Sequence, residues 1–366
     1  MRILQVLPHL SKGGAERVVV ELSNSLMEAG HEVTLLAAFP VDSVLNQQYL
    51  DRKITVQFAS LKSANRPLAY LKLPFYIIKD WKVLKTYDVI HCHLTFGLVF
   101  GFFFSFIRKI TRTRNLRLIA TCHVVGIGIS NTRRIINERL SYFFDVFVLM
   151  AQDAQWRNFI SAKKRVNFQF VVNGISANMW TNRLKQPNRK SFWTVGTISR
   201  LQAERKPWLF LEVFSQVHDL TNGEVRFILG GEGPERETLA ALSEKLRLSG
   251  NLSMPGLVQD PKAILESLDL YVGLNVEEIT GIAGLEAVFS GVPVISIQLA
   301  STYTNGGNDW IWSNQDPGLI AERIVEYLKN SSQLSKLAEE QYRVATEKFS
   351  VECMRDSYLS LYTTKK

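Results

Sequence analysis

Short apolar runs alternate along the chain with longer stretches whose apolar positions follow a helical period. A strand buried on both faces of a parallel sheet is a short apolar run, whereas a helix buries one apolar stripe. The alternation therefore predicts βαβ units and an α/β fold. One series of predicted strands comprises residues 1–7, 32–38, 88–91, 118–121, 146–150 and 168–172, with a helix over residues 16–30. A second series comprises residues 192–198, 226–229, 252–254, 268–272 and 293–297.

A polar stretch separates the two series. Residues 176–191 contain Pro187 and several Asn and Lys residues, a composition typical of a linker. A chain of 366 residues is also too long for one ordinary core. We therefore predict two Rossmann-like domains, residues 1–175 and 192–349, facing each other across a deep cleft. Ligands of open α/β sheets bind beyond the carboxyl ends of the strands, so residues that follow strands are the candidates for chemistry.

Composition narrows the class of protein. Charged residues make up 21% and hydrophobic residues 46%, which indicates a globular chain and excludes a disordered one. The three cysteines, Cys92, Cys122 and Cys353, form no C-x-x-C pair and predict reduced thiols in the cytoplasm. Gln5 interrupts the apolar start, which lacks a small-residue cleavage signal. We interpret this start as a buried strand and not as a signal peptide.

The segment from Glu278 to Glu286 carries the most specific pattern. Two carboxylates eight positions apart flank a glycine at a predicted turn into a helix. Glu278 would accept hydrogen bonds from sugar hydroxyls, and Glu286, about two helical turns later, would reach a second diol such as a ribose. Between them, Thr280, Gly281 and Ile282 would present backbone N–H groups to a phosphate.

With the Gly291-Val-Pro293 that follows, this segment resembles the E-x7-E motif of the retaining glycosyltransferases of family 4. These enzymes have the two-domain GT-B fold, and the resemblance covers nearly the whole chain. It implies that the second domain holds a nucleotide sugar. The chain contains no Asp-x-Asp triplet that could bridge a metal to a diphosphate, so we expect no metal and no other cofactor. It also implies that a C-terminal helix over about residues 350–366 packs back on the first domain.

The residues after the first strand of the second domain resemble the diphosphate-binding pattern of this family. Arg200 matches the arginine of the family. The family has a lysine five positions later, where this chain has Arg205 followed by Lys206. Either cation would join Arg200 in neutralising a leaving diphosphate, and the sequence leaves the choice open. Val258 lies in a segment that resembles the base-binding turn, which implies that its backbone holds the nucleotide base.

Three positions of the first domain are further candidates. Gly13 and Gly14 precede a predicted helix start, where glycines allow a ligand close to the backbone and the helix favours an anion. Their loop resembles the Gly-Gly-Ala-Glu-Arg sequence of the family. His123 follows a strand and resembles the histidine that contacts the donor sugar. We expect His91 and His93 to point to opposite faces of their strand, and therefore predict no metal site.

A run of phenylalanines lies between residues 94 and 107, and five cations follow it, namely Arg108, Lys109, Arg112, Arg114 and Arg117. The run is too short to span a bilayer. An apolar face beside basic residues favours an interfacial helix over residues 94–117 on an anionic membrane surface, which residues 66–85 would widen. A buried helix is the alternative. The net charge of +9 fits an acidic partner, and no nucleic-acid-binding motif accompanies it.

The motifs and the resemblance predict a retaining glycosyltransferase. It would move a hexose from a UDP- or GDP-sugar to a lipid-linked glycan acceptor in cell-surface polysaccharide or glycolipid synthesis. Its place would be the cytoplasmic face of the plasma membrane. A sugar-nucleotide epimerase, a phosphorylase and a catalytically inactive scaffold are the alternatives, the last because Ser176 replaces an aspartate of the family pattern. A nicotinamide oxidoreductase is disfavoured because no G-x-G-x-x-G follows the first strand.

Overall fold

The chain folds into two compact units in the computed structural model. The first comprises Met1–Gly174 together with Val351–Lys366, and the second comprises Ile175–Ser350. The structure describes residues 1–11, 13–39, 49–59, 66–113, 115–123, 131–150, 166–180, 192–276, 279–298 and 310–364, without the side chains of residues 66–69, 131, 133 and 275–280. Glu278 and residues 181–191 of the expected linker therefore lie outside the described residues. The start of that linker belongs to the second unit, where Trp180 is buried.

The described strands of the first unit form one parallel sheet in the order β3-β2-β1-β4-β5-β6-β7. They are β1 (Arg2–Leu7), β2 (Glu32–Ala37), β3 (Thr55–Phe58), β4 (Val89–His93), β5 (Arg117–Cys122), β6 (Val146–Leu149) and β7 (Phe168–Phe170). The helices that alternate with them are α1 (Gly14–Glu28), α2 (Arg66–Lys79), α3 (Trp81–Leu84), α4 (Leu94–Ile110) and α5 (Asn131–Ser141). The strand order reverses between β1 and β4, where doubly wound sheets form a ligand crevice.

The phenylalanine-rich helix α4 belongs largely to the core. Phe96, Phe100 and Phe104 are completely buried within the main apolar cluster of the first unit. Two glycines explain the close packing, because a Cβ atom at Gly97 would lie 2.9 Å from the carbonyl oxygen of Val6, and one at the next-turn Gly101 would clash with the Phe144 ring. The buried alternative is therefore the observed one for most of α4, and the interfacial interpretation keeps only its C-terminal end.

The second unit contains a second doubly wound sheet, in the order β10-β9-β8-β11-β13-β14, with β12 antiparallel to β11. Its strands are β8 (Trp193–Ile198), β9 (Val225–Gly230), β10 (Leu252–Gly256), β11 (Leu270–Val276), β12 (Ile279–Thr280), β13 (Val294–Gln298) and β14 (Ser313–Asn314). Its helices are α6 (Trp208–Leu220), α7 (Arg236–Lys245), α8 (Pro261–Ser267), α9 (Ile282–Phe289), α10 (Pro317–Lys329) and α11 (Ser331–Lys348). The order reverses between β8 and β11. The α/β prediction is confirmed in both units.

The last helix, α12 (Val351–Thr363), packs against α1 in the first unit. Its buried tyrosines reach polar groups of the sheet. The Tyr362 hydroxyl lies 2.8 Å from Nδ1 of His91, and the Tyr358 hydroxyl lies 3.0 Å from Oγ1 of Thr121. These bonds supply partners for polar groups that the sheet would otherwise bury unpaired.

Candidate active site

The reversal point of the second sheet brings together several of the predicted residues. Arg200 follows β8 directly and is exposed, and Glu286 lies half-buried on α9, the helix that comes after β11 and β12. Both elements therefore supply residues to the crevice that forms where the strand order reverses.

Arg205 lies close to Arg200. It ends a short 3-10 turn, Ala203–Arg205, and is half-buried. Burial is the main cause that lowers the pKa of the Arg205 guanidinium, and the positive charge of Arg200 lowers it further. The two cations therefore repel each other. Two guanidinium groups held at one crevice favour a multiply charged anion as their ligand.

Lys206 has a different environment. It is exposed and adopts the left-handed backbone conformation, with a φ of 47°. Arg205 and Tyr271 interact electrostatically with each other. Within the described residues, Lys206 is not among the charges that shift the pKa of either group. Arg205 is thus the half-buried cation that interacts with Arg200 and Tyr271, whereas Lys206 is exposed on a left-handed backbone.

Tyr271 is a residue of this cluster that the sequence motifs miss. Its ring is buried in β11, and its hydroxyl donates to the carbonyl oxygen of Ile198 at 3.0 Å and accepts from the Ile198 N–H at 3.2 Å. Burial raises the pKa of Tyr271 to about 12, with a contribution from the nearby charge of Glu286. Tyr271 therefore bonds to the end of β8, senses the charges of Arg205 and Glu286, and stays protonated at neutral pH.

The start of α9 offers backbone donors. Gly281 is its N-cap and is exposed, and a Cβ atom there would meet nothing within 4 Å. The first N–H groups of a helix, here from Ile282 onward, have no intrahelical partner and attract anions. The side chain of Thr280 and all of Glu278 are outside the described residues, so their predicted roles stay predictions.

Glycines fix the loop that carries Arg200. Gly231 has a φ of 135°, and a Cβ atom there would clash with the carbonyl oxygen of Ser199, as one at Gly233 would with that of Leu201. Backbone bonds of 2.9 Å from Ser199 to Gly230 and 3.0 Å from Leu201 to Glu232 join the two loops. These glycines therefore serve a structural turn that supports the Arg200 loop.

Val258 lies at the neighbouring carboxyl end of β10. Its side chain is half-buried and would touch a Cβ atom added at Gly230. Arg236 anchors this segment by donating to the carbonyl oxygen of Met254 at 2.8 Å, and Gly231 donates to Gly256 at 2.8 Å. The backbone of Val258 is thus held at the edge of the same crevice.

The reversal point of the first sheet contains a cavity of about 230 Å³. It is lined by residues that follow β1, β4 and β5 and by the helices above them, namely Pro8, His9, Glu16, Tyr70, Leu94, Thr95, Phe96, Leu98, Cys122, His123 and Asn137. His123 is thus part of a concave site, as the sequence predicts for a residue that follows a strand.

His123 ends a chain of buried hydrogen bonds. Its Nε2 lies 2.8 Å from Nδ1 of His93, whose Nε2 lies 2.6 Å from Oε1 of Gln5. The rings of His91 and His93 are 4.0 Å apart, so the expectation that they point to opposite faces is wrong. Residues two apart along a strand project from the same face.

These bonds define the hydrogen-bonding role of His123. Burial lowers the pKa of His93 well below its ordinary value and that of His123 to about 4, so both rings are neutral at pH 7. With Gln5 Oε1 as acceptor, His93 donates through Nε2 and accepts through Nδ1. His123 then donates through Nε2, and its Nδ1 is an acceptor.

Two buried acceptors of the cavity lack a partner within the described part of the chain. They are Nδ1 of His123 and Oδ1 of Asn137, whose side chain is 4% exposed. A buried acceptor without a donor costs about 1–3 kcal/mol. The cavity is therefore suited to a ligand that brings hydroxyl groups.

The loop with Gly13 and Gly14 is also part of this region. The buried carboxylate of Glu16 lies 3.4 Å from Nδ1 of His9, and a Cβ atom at Gly13 would clash with it. Gly14 is exposed at the start of α1. Because the chain's own carboxylate occupies this helix start, the predicted anion site would meet a like charge there.

No set of three side chains suited to hold a metal ion occurs among the described residues. Over the same part of the chain, every helix is too short or too polar to cross a membrane.

Two family descriptions match successive parts of the chain and together cover most of its length. Residues 12–157 match Glycosyltransferase Family 4, and residues 178–344 match Glycosyl transferases group 1. The chain belongs to glycosyltransferase family 4. The resemblance stated from its motifs is thereby confirmed.

Two curated proteins illustrate the range of related glycosyltransferases. N-acetyl-alpha-D-glucosaminyl L-malate synthase of Bacillus anthracis is 19% identical over 96% of this chain and 94% of that protein. Poly(ribitol-phosphate) alpha-N-acetylglucosaminyltransferase of Staphylococcus aureus is 25% identical over 46% of this chain. This match covers 35% of the length of the S. aureus protein.

A solved structure similar to this glycosyltransferase is that of Anabaena HepE in complex with UDP and glucose. Its TM-score is 0.77, with 18% sequence identity and 99% of both chains covered. At this identity the likeness shows the fold, which is GT-B.

Proposed function

We propose that this glycosyltransferase moves a hexose, with retention of anomeric configuration, from a UDP- or GDP-sugar to a lipid-linked glycan acceptor. The observation that carries the proposal is the cluster of Arg200, Arg205, Tyr271 and Glu286 at the reversal point of the second sheet. Its paired cations suit a diphosphate, and the adjacent helix start suits a phosphate oxygen. Its carboxylate suits a diol.

The two arginines and the first N–H groups of α9 would stabilise the negative charge that develops on the departing diphosphate. Such preorganised donors supply a large part of the rate enhancement in group transfer. Glu286 would accept hydrogen bonds from the ribose hydroxyls, Glu278 would bind the sugar, and Val258 would hold the base through its backbone. In the first unit, Nδ1 of His123 would accept a hydrogen bond from a sugar hydroxyl.

The proposed transfer requires no protein nucleophile. The oxygen of the acceptor hydroxyl bonds to the anomeric carbon on the face from which the diphosphate leaves, while the bond from that carbon to the phosphate oxygen breaks. The hydroxyl proton passes to the departing phosphate oxygen. The product then keeps the anomeric configuration of the donor.

The related proteins guide the choice of substrates. The HepE structure contains UDP and glucose. The S. aureus relative is named as an N-acetylglucosaminyltransferase, and the B. anthracis relative as an N-acetyl-alpha-D-glucosaminyl L-malate synthase. UDP-glucose and UDP-N-acetylglucosamine are therefore the first donors to test. The acceptor named for the S. aureus relative, poly(ribitol-phosphate), supports a polymeric acceptor.

The proposed place of action is the cytoplasmic face of the plasma membrane. Cys92 and Cys122 are buried thiols and Cys353 is a half-buried thiol, which suits a reducing compartment. A peripheral attachment through basic and apolar surface would bring the enzyme to a lipid-linked acceptor.

Product analysis tests the transfer. The purified protein is incubated with UDP-, GDP- and ADP-sugars, with and without acceptor, beside the Arg200→Ala, Glu286→Ala and control Arg343→Ala variants. Arg343 is an exposed arginine on α11. We expect the protein to turn over sugars of one nucleotide class, and only when an acceptor is present. Arg200→Ala and Glu286→Ala should lose this turnover, whereas Arg343→Ala should keep it.

The alternatives give different products. An epimerase would change the sugar nucleotide without an acceptor, and a phosphorylase would require inorganic phosphate or release a sugar phosphate. An inactive scaffold would turn over no donor under any condition. Each of these results contradicts the proposed transfer.

A further inference from the structure

Helix α2 has two apolar sides. Leu73 and Ile77 are completely buried in the core of the first unit. Leu71, Phe75 and Ile78 are instead 68%, 75% and 61% exposed. Their spacing of four and three residues places them on one side of the helix. Because three large apolar side chains in a row are rarely left to water, this stripe indicates a binding surface.

Basic residues surround the stripe. Lys72, Lys79, Lys82 and Lys85 are all exposed on α2, on α3 and just after it, whereas Asp80 is the one acidic residue between positions 71 and 85. Asp80 is half-buried and accepts a hydrogen bond from Tyr76, and its single negative charge leaves the four lysines in excess.

The surface extends beyond α2. Val83 on α3 is 51% exposed. We name the exposed apolar residues of α2 and Val83 of α3, with the four lysines, the lysine-apolar surface.

We propose that the lysine-apolar surface docks the first unit on an anionic phospholipid membrane. The apolar stripe would enter the boundary between headgroups and acyl chains while the lysines contact anionic headgroups. A second copy of the chain is a poorer partner, because the lysines of the two copies would face each other. The inference deepens the proposed membrane attachment and replaces α4 by α2 as its main element.

Co-sedimentation of the full chain with vesicles tests the docking. One set of vesicles contains phosphatidylcholine alone, and the other contains phosphatidylcholine mixed with phosphatidylglycerol. We expect binding to the anionic vesicles that weakens as salt is raised. Absence of binding, or equal binding to both kinds of vesicle, would overturn the proposal.

Paired variants separate the apolar from the charged contribution. Leu71→Ser/Phe75→Ser should weaken vesicle binding by about tenfold or more, since each side chain contributes buried apolar area. Its control is Leu220→Ser/Leu319→Ser, which changes two leucines of the second unit that are each 47% exposed. Equal loss in both pairs would contradict the assigned surface.

Lys79→Glu/Lys82→Glu should also weaken binding to anionic vesicles by about tenfold or more, since lysines near the surface contribute additively. The control Lys245→Glu/Lys348→Glu makes the same change of net charge at exposed positions of the second unit. Donor binding is measured in every variant. Donor binding does not depend on vesicles. A variant that keeps donor binding but loses vesicle binding has therefore lost docking, and its proposed transferase site is intact.

Discussion

Tyr271 connects the groups to which we assign donor binding. It lies within an apolar strand and touches the end of β8 through both its bonds to Ile198. Nothing in its local sequence marks this role, because the contact exists only once β11 lies beside β8. Arg200 and Glu286, in contrast, were predictable, since they follow strands in a recognisable spacing.

Tyr271→Phe should lower the free energy of unfolding by about 1–3 kcal/mol, because it removes a buried hydroxyl and leaves its backbone partners short of a bond. It should also weaken donor binding by loosening the loop that carries Arg200. Urea denaturation and calorimetry measure the two effects. Tyr342→Phe, on α11, is the control, and equal behaviour of the two variants would show that Tyr271 has no special role.

The buried histidines make stability depend on pH. Burial lowers the pKa of His91 and His93 well below their ordinary 6.5, and that of His123 to about 4. As the pH falls below 6.5, the unfolded chain binds protons that the folded chain does not. The free energy of unfolding is therefore highest above that pH and falls by about 1.4 kcal/mol per pH unit for each such histidine.

Urea denaturation between pH 7 and pH 5 measures this slope. His93→Gln should reduce the slope, because one proton fewer is taken up on unfolding. His218→Gln, on α6 of the second unit, is the matched change outside the cluster. A slope that stays the same in His93→Gln would contradict the buried neutral state of that ring.

Strand β3 shows which elements the apolar pattern misses. Most predicted strands agree with the observed ones within a few residues, because strands buried on both faces are continuous apolar runs. The edge strand Thr55–Phe58 is mostly exposed and has no such run.

For helix α4, the apolar pattern predicts a helix but not its burial. That burial depends on Gly97 and Gly101, which fit against groups far away in sequence.

The turn after β9 should be sensitive to one methyl group. Gly231→Ala should destabilise the second unit by about 1–3 kcal/mol, because it combines an unfavourable φ with a clash at Ser199. Donor affinity should fall with it, since this turn supports the Arg200 loop. Chemical denaturation and donor titration check both effects.

Gly250→Ala is the control for this turn, because a Cβ atom there meets nothing within 4 Å. It should change stability by less than about 0.5 kcal/mol. If Gly231→Ala binds donor as well as Gly250→Ala does, the turn does not support the Arg200 loop.

The molecule consists of two α/β units whose chain path is not sequential. The first unit is completed by α12, which follows the whole second unit in sequence and covers His91 with Tyr362. Composition and strand count predict two domains, and the resemblance implies the return of the last helix. The partners of α12 could not be predicted, since a buried histidine and a tyrosine 271 positions later carry no local signal.

Deleting residues 351–366 should destabilise the first unit selectively, because it uncovers the His91 network and removes Tyr358 from the core. Limited proteolysis should then cleave the first unit while peptides of the second unit stay protected. Donor binding should persist if the second unit alone carries the diphosphate site. Equal protection of both units in the shortened and full chains would contradict this division.

Calorimetric donor binding by the full chain and by the Arg205→Ala and Lys206→Ala variants tests the diphosphate site directly. We expect one class of nucleotide-diphosphate sugar to bind, with a loss of about tenfold or more in Arg205→Ala, because a charge-assisted bond to the diphosphate is removed. Lys206→Ala should bind within about twofold of the unchanged chain, since replacing an exposed residue outside the site has little effect. Binding of no donor, or an equal loss in both variants, would contradict the assignment of the diphosphate site to Arg200 and Arg205.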